Sequence, residues 1–331
     1  MSNIIRVASG RRTFLKLAAP AMLAAFIPGR GRAQGEKRIA YLTPGLDLPF
    51  WRFVLKGVSD VANSAGMTVN AYDSHNSAQT QLQNAQDVLS RGADGIVLSP
   101  VDSSTAPAVL ALAARAKVPV VIADIGTTGG EYVSFVTSEN EKGAYETGQA
   151  VAAQLKQKNW TGSTYGLVTV SLARRNGQLR TDGFRRAMSE VGMKEAAIQQ
   201  MQTYTADETF HFTQDMLTAH PDMRALFVET DQPTIGAARA IQAMRRRGDL
   251  LLAGFDGVPE FVGLLEDGAM AVAGMQQPYL MGQTSGRAML DHLAGKVPTR
   301  LVQVPVEIVS SANIKDKLPI ITKTVFAGNV G

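Results

Sequence analysis

The chain runs to 331 residues, 45% of them hydrophobic, and has no cysteine, which excludes disulfides, thiolate metal sites, a cysteine nucleophile and a lipid-modified cysteine anchor. Its formal net charge of +4 belongs to the first 33 residues, which hold six Lys and Arg and no acid, leaving 27 basic against 29 acidic residues in the remainder. That slightly acidic balance gives no ground for a nucleic-acid partner or a basic membrane patch.

Residues 1–33 read as an export signal. Arg11-Arg12-Thr13-Phe14-Leu15-Lys16 precedes an apolar run over 17–27, and Gly31-Arg32-Ala33 suits cleavage after Ala33. The paired arginines ahead of Phe-Leu-Lys match the twin-arginine type of leader. The apolar run is interrupted by Pro20 and falls short of the ~20 residues that a membrane-spanning helix needs. The expectation is a soluble, untethered periplasmic protein, long enough to divide into two domains.

After the leader, short runs of branched apolar residues alternate with amphipathic segments, which predicts β-α units around mostly parallel sheets. Strands are expected over 38–43, 67–72, 95–99, 118–123, 133–137, 165–170, 224–228, 250–255 and 270–275, with one last extended stretch over 302–309. Helices are expected over 80–91, 105–115, 143–157 and 233–246, where apolar residues recur at three- and four-residue spacing. Gly66, Gly92, Gly192 and Gly248 follow helical segments as stop signals. The stretches 37–138 and 139–275 hold similar sets of units, so two lobes are expected.

In parallel α/β sheets ligands bind beyond the carboxyl ends of the strands, so the residues there are the candidates. Phe50 and Trp51 follow the first strand, and can either pack into the core or present flat rings to a small polar ligand. Asp124 and Asp256 each end a strongly apolar strand, where a carboxylate can accept bonds from neighbouring hydroxyls or merely shape a turn or cap. Arg180 is either a solvated helix residue or a planar donor fork for the same cleft. Thr230 with Asp231, and Gln276 with Gln277, add polar groups after two further strands.

Taken in order, Pro49-Phe50-Trp51, Asp73-Ser74, Ala123-Asp124, Ser138-Glu139-Asn140, Arg180-Thr181-Asp182-Gly183-Phe184, Thr218-Ala219-His220-Pro221-Asp222 and Gly254-Phe255-Asp256-Gly257 resemble the ribose-binding-protein family of periplasmic sugar-binding proteins, the type I solute receptors of ABC transporters. The resemblance covers roughly 37–309. It implies a two-lobed α/β fold, each lobe a mostly parallel sheet flanked by helices, with the ligand between them. The N-terminal lobe would comprise 36–138 with 277–305, and the C-terminal lobe 139–276 with 306–331, the chain crossing near Ser138, Gln276 and Pro305.

The resemblance places Phe50, Trp51, Asp124, Arg180, Tyr204, Thr230, Asp256 and Gln276 at the ligand, Tyr204 as a third aromatic ring. It implies a membrane permease and its ATPase as partners, no cofactor, no metal and no chemistry on the ligand. Leu48 and Thr230 stand where the ribose-binding pattern has asparagines, and Ile125 where it has an arginine. Those departures favour a sugar, polyol or similar small metabolite with fewer or differently placed hydroxyls than ribose.

Other classes find less support. An enzyme working in the cleft would be expected to show a Gly-x-Ser-x-Gly elbow, a dinucleotide or phosphate loop, or His-Glu-x-x-His, and none occurs. A sugar-responsive repressor needs a DNA-binding head where this chain has the export signal. A sensor that presents its loaded state to a chemoreceptor or sensor kinase shares every feature above with a transporter component.

Overall fold

The structure, a computed structural model, describes residues 37–328; the export signal read over 1–33 lies outside the described residues. The first set of units is β1 (Arg38–Thr43), α1 (Pro49–Ser64), β2 (Thr68–Asp73), α2 (Ala78–Ser90), β3 (Gly95–Leu98), α3 (Ala106–Ala116), β4 (Val120–Ala123) and β5 (Ser134–Ser138). The second is α4 (Asn140–Gln157), β6 (Thr164–Thr169), α5 (Arg175–Ser189), β7 (Lys194–Gln200), α6 (Ala206–Ala219), β8 (Met223–Val228), α7 (Asp231–Ala243), β9 (Leu251–Phe255), α8 (Glu260–Glu266) and β10 (Val272–Met275). The chain then forms α9 (Pro278–Leu293), β11 (Leu301–Val304), β12 (Glu307–Ser310) and α10 (Ile314–Thr324).

These strands build two six-stranded sheets, ordered β11-β5-β4-β3-β1-β2 and β12-β10-β9-β8-β6-β7. All pairings are parallel except that of β12 with β10. Because the inner strands are covered on both faces, their alternate residues feed different cores. Ile39 and Tyr41 pack with Val54, Val58 and Met289 under α1 and α9, whereas Ala40 and Leu42 pack with Val88 and Leu110 under α2 and α3. The second sheet divides in the same way, Leu167 and Phe227 facing one side, Val168 and Val228 the other.

The chain passes between the sheets after β5, after β10 and after β11. In each sheet the strand order reverses beside the strand that starts the lobe, β1 or β6, and opens a crevice at the carboxyl ends there. The two crevices face one another.

Two elements depart from the sequence expectation. β7 has an exposed, polar sequence, Lys-Glu-Ala-Ala-Ile-Gln-Gln, because it is the outer strand of its sheet and buries little on either face. The single extended stretch over 302–309 is two strands, β11 completing the first sheet and β12 the second, parted at Pro305-Val306. Beyond them α10 and the two residues after it dock on the second lobe, burying Ile314, Ile321, Val325 and Phe326 in that lobe's core.

Candidate ligand-binding cleft

The site begins with chain direction at the strand ends. Asp124 follows β4 with φ 66°, and Asp256 follows β9 with φ 65°. Both hold the left-handed region that residues with a side chain seldom adopt, which a strand end tolerates only where its surroundings fix it. Tyr204, between β7 and α6, is left-handed as well, at φ 58°. Its turn is fixed by Glu208, whose carboxylate accepts the backbone N–H groups of Gln202, Thr203 and Tyr204 at 2.7, 3.0 and 2.9 Å.

All eight residues expected at the ligand line one cavity between the lobes, together with Leu48, Val170, Arg174, Asn176 and Asp231. Pro49 at the start of α1 turns the chain so that Phe50 and Trp51 fall in its first turn, their rings edge to face at 4.8 Å. The rings belong to the first lobe's core and also wall the cavity. Tyr204 walls it from the second lobe, its hydroxyl accepting the Ser171 N–H at 3.2 Å.

Arg180 is not a solvated helix residue, since only 2% of it is exposed. Its Nε donates to Asn140 Oδ1 at 2.8 Å and its Nη1 to the Glu229 carbonyl at 2.8 Å, with Asp256 at 3.5 Å. Asp256 accepts the Thr230 hydroxyl at 2.6 Å and also the Gln276 amide. The second lobe therefore delivers a prearranged network of acid, guanidinium, hydroxyl and amide.

Three acceptor atoms at this cavity are buried without a protein partner among the described residues: Asp124 Oδ1, Asp231 Oδ2 and Gln276 Oε1. Burial pushes the Asp124 carboxyl up to about 6, opposed by the charge of Arg180. Burial, and then the charge of Asp256, raise that of Asp231. Glu229, directly behind the cavity, is pushed up to about 8 by burial although Thr181 and the Val170 N–H donate to it. Such groups gain from a ligand that supplies hydrogen-bond donors and loses water with them.

Arg174, Asn176 and Glu229 were not singled out from the sequence. Arg174 and Asn176 follow β6 as directly as Phe50 follows β1, so the strand-end rule itself points to them. Ile125, in contrast, is buried in the first lobe's core and brings no donor to the cleft. Among the described residues no group of His, Asp and Glu is disposed to hold a metal ion, and no helix is long and apolar enough to cross a membrane.

Several known proteins similar to this chain are solute-binding proteins. The chain is 29% identical over 250 residues to the ribose import binding protein RbsB of Salmonella typhimurium, covering 76% of this chain and 82% of that one. It is 28% identical over 252 residues to the D-ribose/D-allose-binding protein of Pseudomonas aeruginosa, covering 73% and 77%. A carbohydrate transporter solute binding protein from Agrobacterium radiobacter, solved with D-arabinose, superposes with a TM-score of 0.82 at 22% identity, over 88% of this chain and all of that one. The type I periplasmic-binding-protein fold is thereby shown, and residues 39–297 match the family model for a periplasmic binding protein domain. The chain belongs to the periplasmic binding protein domain family.

Proposed function

We propose that this protein is the solute-binding component of an ABC importer, taking up a small sugar or polyol between its lobes and delivering it to a membrane permease and its ATPase. The observation that carries the reading is the pairing of aromatic walls with unpartnered buried acceptors. Phe50, Trp51 and Tyr204 offer apolar faces to C–H groups, while Asp124, Asp231 and Gln276 offer acceptors to hydroxyls. The relatives' ligands, ribose and allose among them, belong to this chemical class. Residues 1–33, read as a twin-arginine leader, would carry the chain to the periplasm, where such a receptor meets its solute.

Acceptors outnumber free donors here, so the preferred ligand presents several hydroxyls to Asp124 and Gln276 and no carboxylate or phosphate. A thermal-shift screen of the refolded, ligand-stripped protein tests this against D-ribose, D-allose, D-arabinose, myo-inositol, sugar acids and amino acids. Saturation at a hundred times the dissociation constant adds ~2.7 kcal/mol, a rise of roughly 5 °C for a chain of this size. A selective rise with a neutral polyol or sugar is expected. A response confined to sugar acids or amino acids would contradict the reading.

A further inference from the structure

Where the second lobe meets the first at the carboxyl end of β6, a buried arginine reaches across the cleft. Arg174, 7% exposed, belongs to the second lobe but spends its donors on the first: Nε to the Val101 carbonyl at 2.8 Å and Nη2 to Asn76 Oδ1 at 2.6 Å. No carboxylate lies within ion-pair distance of it among the described residues. Its guanidinium also sits 5.0 Å from the centre of the Tyr204 ring. Asn76 is itself held at φ 54°, its N–H bonded to the Pro44 carbonyl at 2.7 Å, so its amide is presented from a fixed turn.

The position matters as much as the bonds. Inside Arg174 lies the cavity of about 30 Å³ that holds the acceptors described above, and outside it lies a second cavity of about 390 Å³ bounded by Pro44, His75, Asn76 and Thr203. Leu48, Trp51, Arg174 and Tyr204 line both cavities and form the partition between them. Three of the four are apolar or aromatic, and of these Leu48 packs against the cores of both lobes. Arg174 is the one joined to the opposite lobe by hydrogen bonds, and those bonds must break for a solute to pass.

We propose that Arg174 is the gating residue of this cleft: its fork to Val101 and Asn76 fastens the lobes over a bound solute and sets how slowly the solute leaves. The inference rests on the solute-receptor reading. Each bond pairs a charged donor with a neutral carbonyl acceptor and is stronger than a neutral pair, so parting the lobes carries a barrier before water takes over the guanidinium's donors. A lysine has one donor head where the arginine has a planar fork, and cannot span both acceptors in the same geometry. The neighbouring cross-lobe bonds, Asn176 Nδ2 to Asp124 at 3.0 Å and the Arg175 N–H to Ser103 Oγ at 3.1 Å, align the same edge but do not close the partition.

The test measures binding and release of D-ribose, D-allose, D-arabinose and myo-inositol by the wild-type protein, Arg174→Lys, Arg174→Ala, Asn76→Ala and the Arg174→Ala/Asn76→Ala double variant. For whichever of these binds the wild type, release is expected to be about tenfold faster in Arg174→Ala and in Asn76→Ala. The double variant should be no faster than Arg174→Ala, because both remove one interaction. Arg174→Lys should fall between, and the ligand-free unfolding midpoints should agree within about 2 °C. Release hastened by neither variant overturns the gate. Faster release in Arg174→Ala with Asn76→Ala unchanged overturns it too, and makes Arg174 a direct ligand contact. Equal loss of ligand-free stability with unaltered release assigns Arg174 a structural part only. Failure of the wild type to bind any of the four removes the receptor reading on which the inference stands.

Discussion

At the scale of single residues, the polar groups of the cleft hold one another in place. Asp124 and Asp256 stand at equivalent strand ends of the two lobes in the same left-handed conformation, yet their partners divide them. Asp256 is saturated by Thr230, Gln276 and the nearby Arg180, whereas Asp124 keeps one oxygen without a partner. Asp256 therefore orders the second lobe's network, and Asp124 is the acid that, on the proposed reading, accepts from a solute.

Glu229 turns the same burial into a pH dependence. A carboxyl whose folded-state pKa is raised holds its proton more tightly in the folded chain, so its contribution is greatest at low pH and is lost as pH climbs from the unfolded value to the folded one. For Glu229 that window runs from 4.5 to about 8. The ligand-free wild type should accordingly lose stability between pH 5 and pH 8. Glu229→Gln keeps an acceptor for the Val170 N–H and a donor for Thr181, and should show a flatter profile by urea denaturation across that range. An equally steep profile in the variant would mean that Glu229 is ionised in the folded protein at neutral pH.

At the scale of elements, the helix pairs that frame the cleft depend on missing side chains. In the first lobe α1 and α9 approach so closely that a Cβ on Gly282 would meet the Val54 carbonyl, with Gly57 facing it from α1. In the second, a Cβ on Gly183 of α5 would meet the Glu141 carbonyl of α4. Gly282→Ala is expected to cost about 1–3 kcal/mol by denaturant unfolding, since backbone must shift to admit the methyl. Gly263→Ala is the control: it lies on the exposed face of α8 with nothing within 4 Å, and should be neutral or stabilising by up to ~1 kcal/mol. Similar costs for both would show that the α1-α9 contact is looser than described.

The elements also show what the sequence makes legible. Strands buried on both faces, such as Val120–Ala123, are continuous apolar runs and stand out. β7 does not, because an outer strand exposes residues that read as loop or helix. The stretch around Pro305 reads as one strand because each half is apolar and β-branched; which sheet each half joins is decided by partners distant in sequence, β5 for one and β10 for the other. Among the cavity residues, those at strand ends with an unusual side chain for their place, Trp51, Asp124 and Asp256, were visible. Arg174 was not, since an arginine after a strand looks like solvated surface until the opposite lobe is in place to receive it.

At the scale of the whole molecule, the two sheets, three chain crossings and facing crevices make a clamp whose halves share few bonds except at the hinge and around Arg174. The central claim is that a small hydroxylated solute draws those halves together. The absence of cysteine permits unique labels at exposed Gln83 on α2 and Asp215 on α6, one on each lobe. The decisive measurement is the distance between spin labels on Gln83→Cys/Asp215→Cys by pulsed dipolar spectroscopy, without and with the saturating sugar or polyol from the screen. The account predicts a shorter, narrower distance distribution on binding. An unchanged distribution in a protein proven to hold its ligand would contradict closure of the lobes as the means of capture.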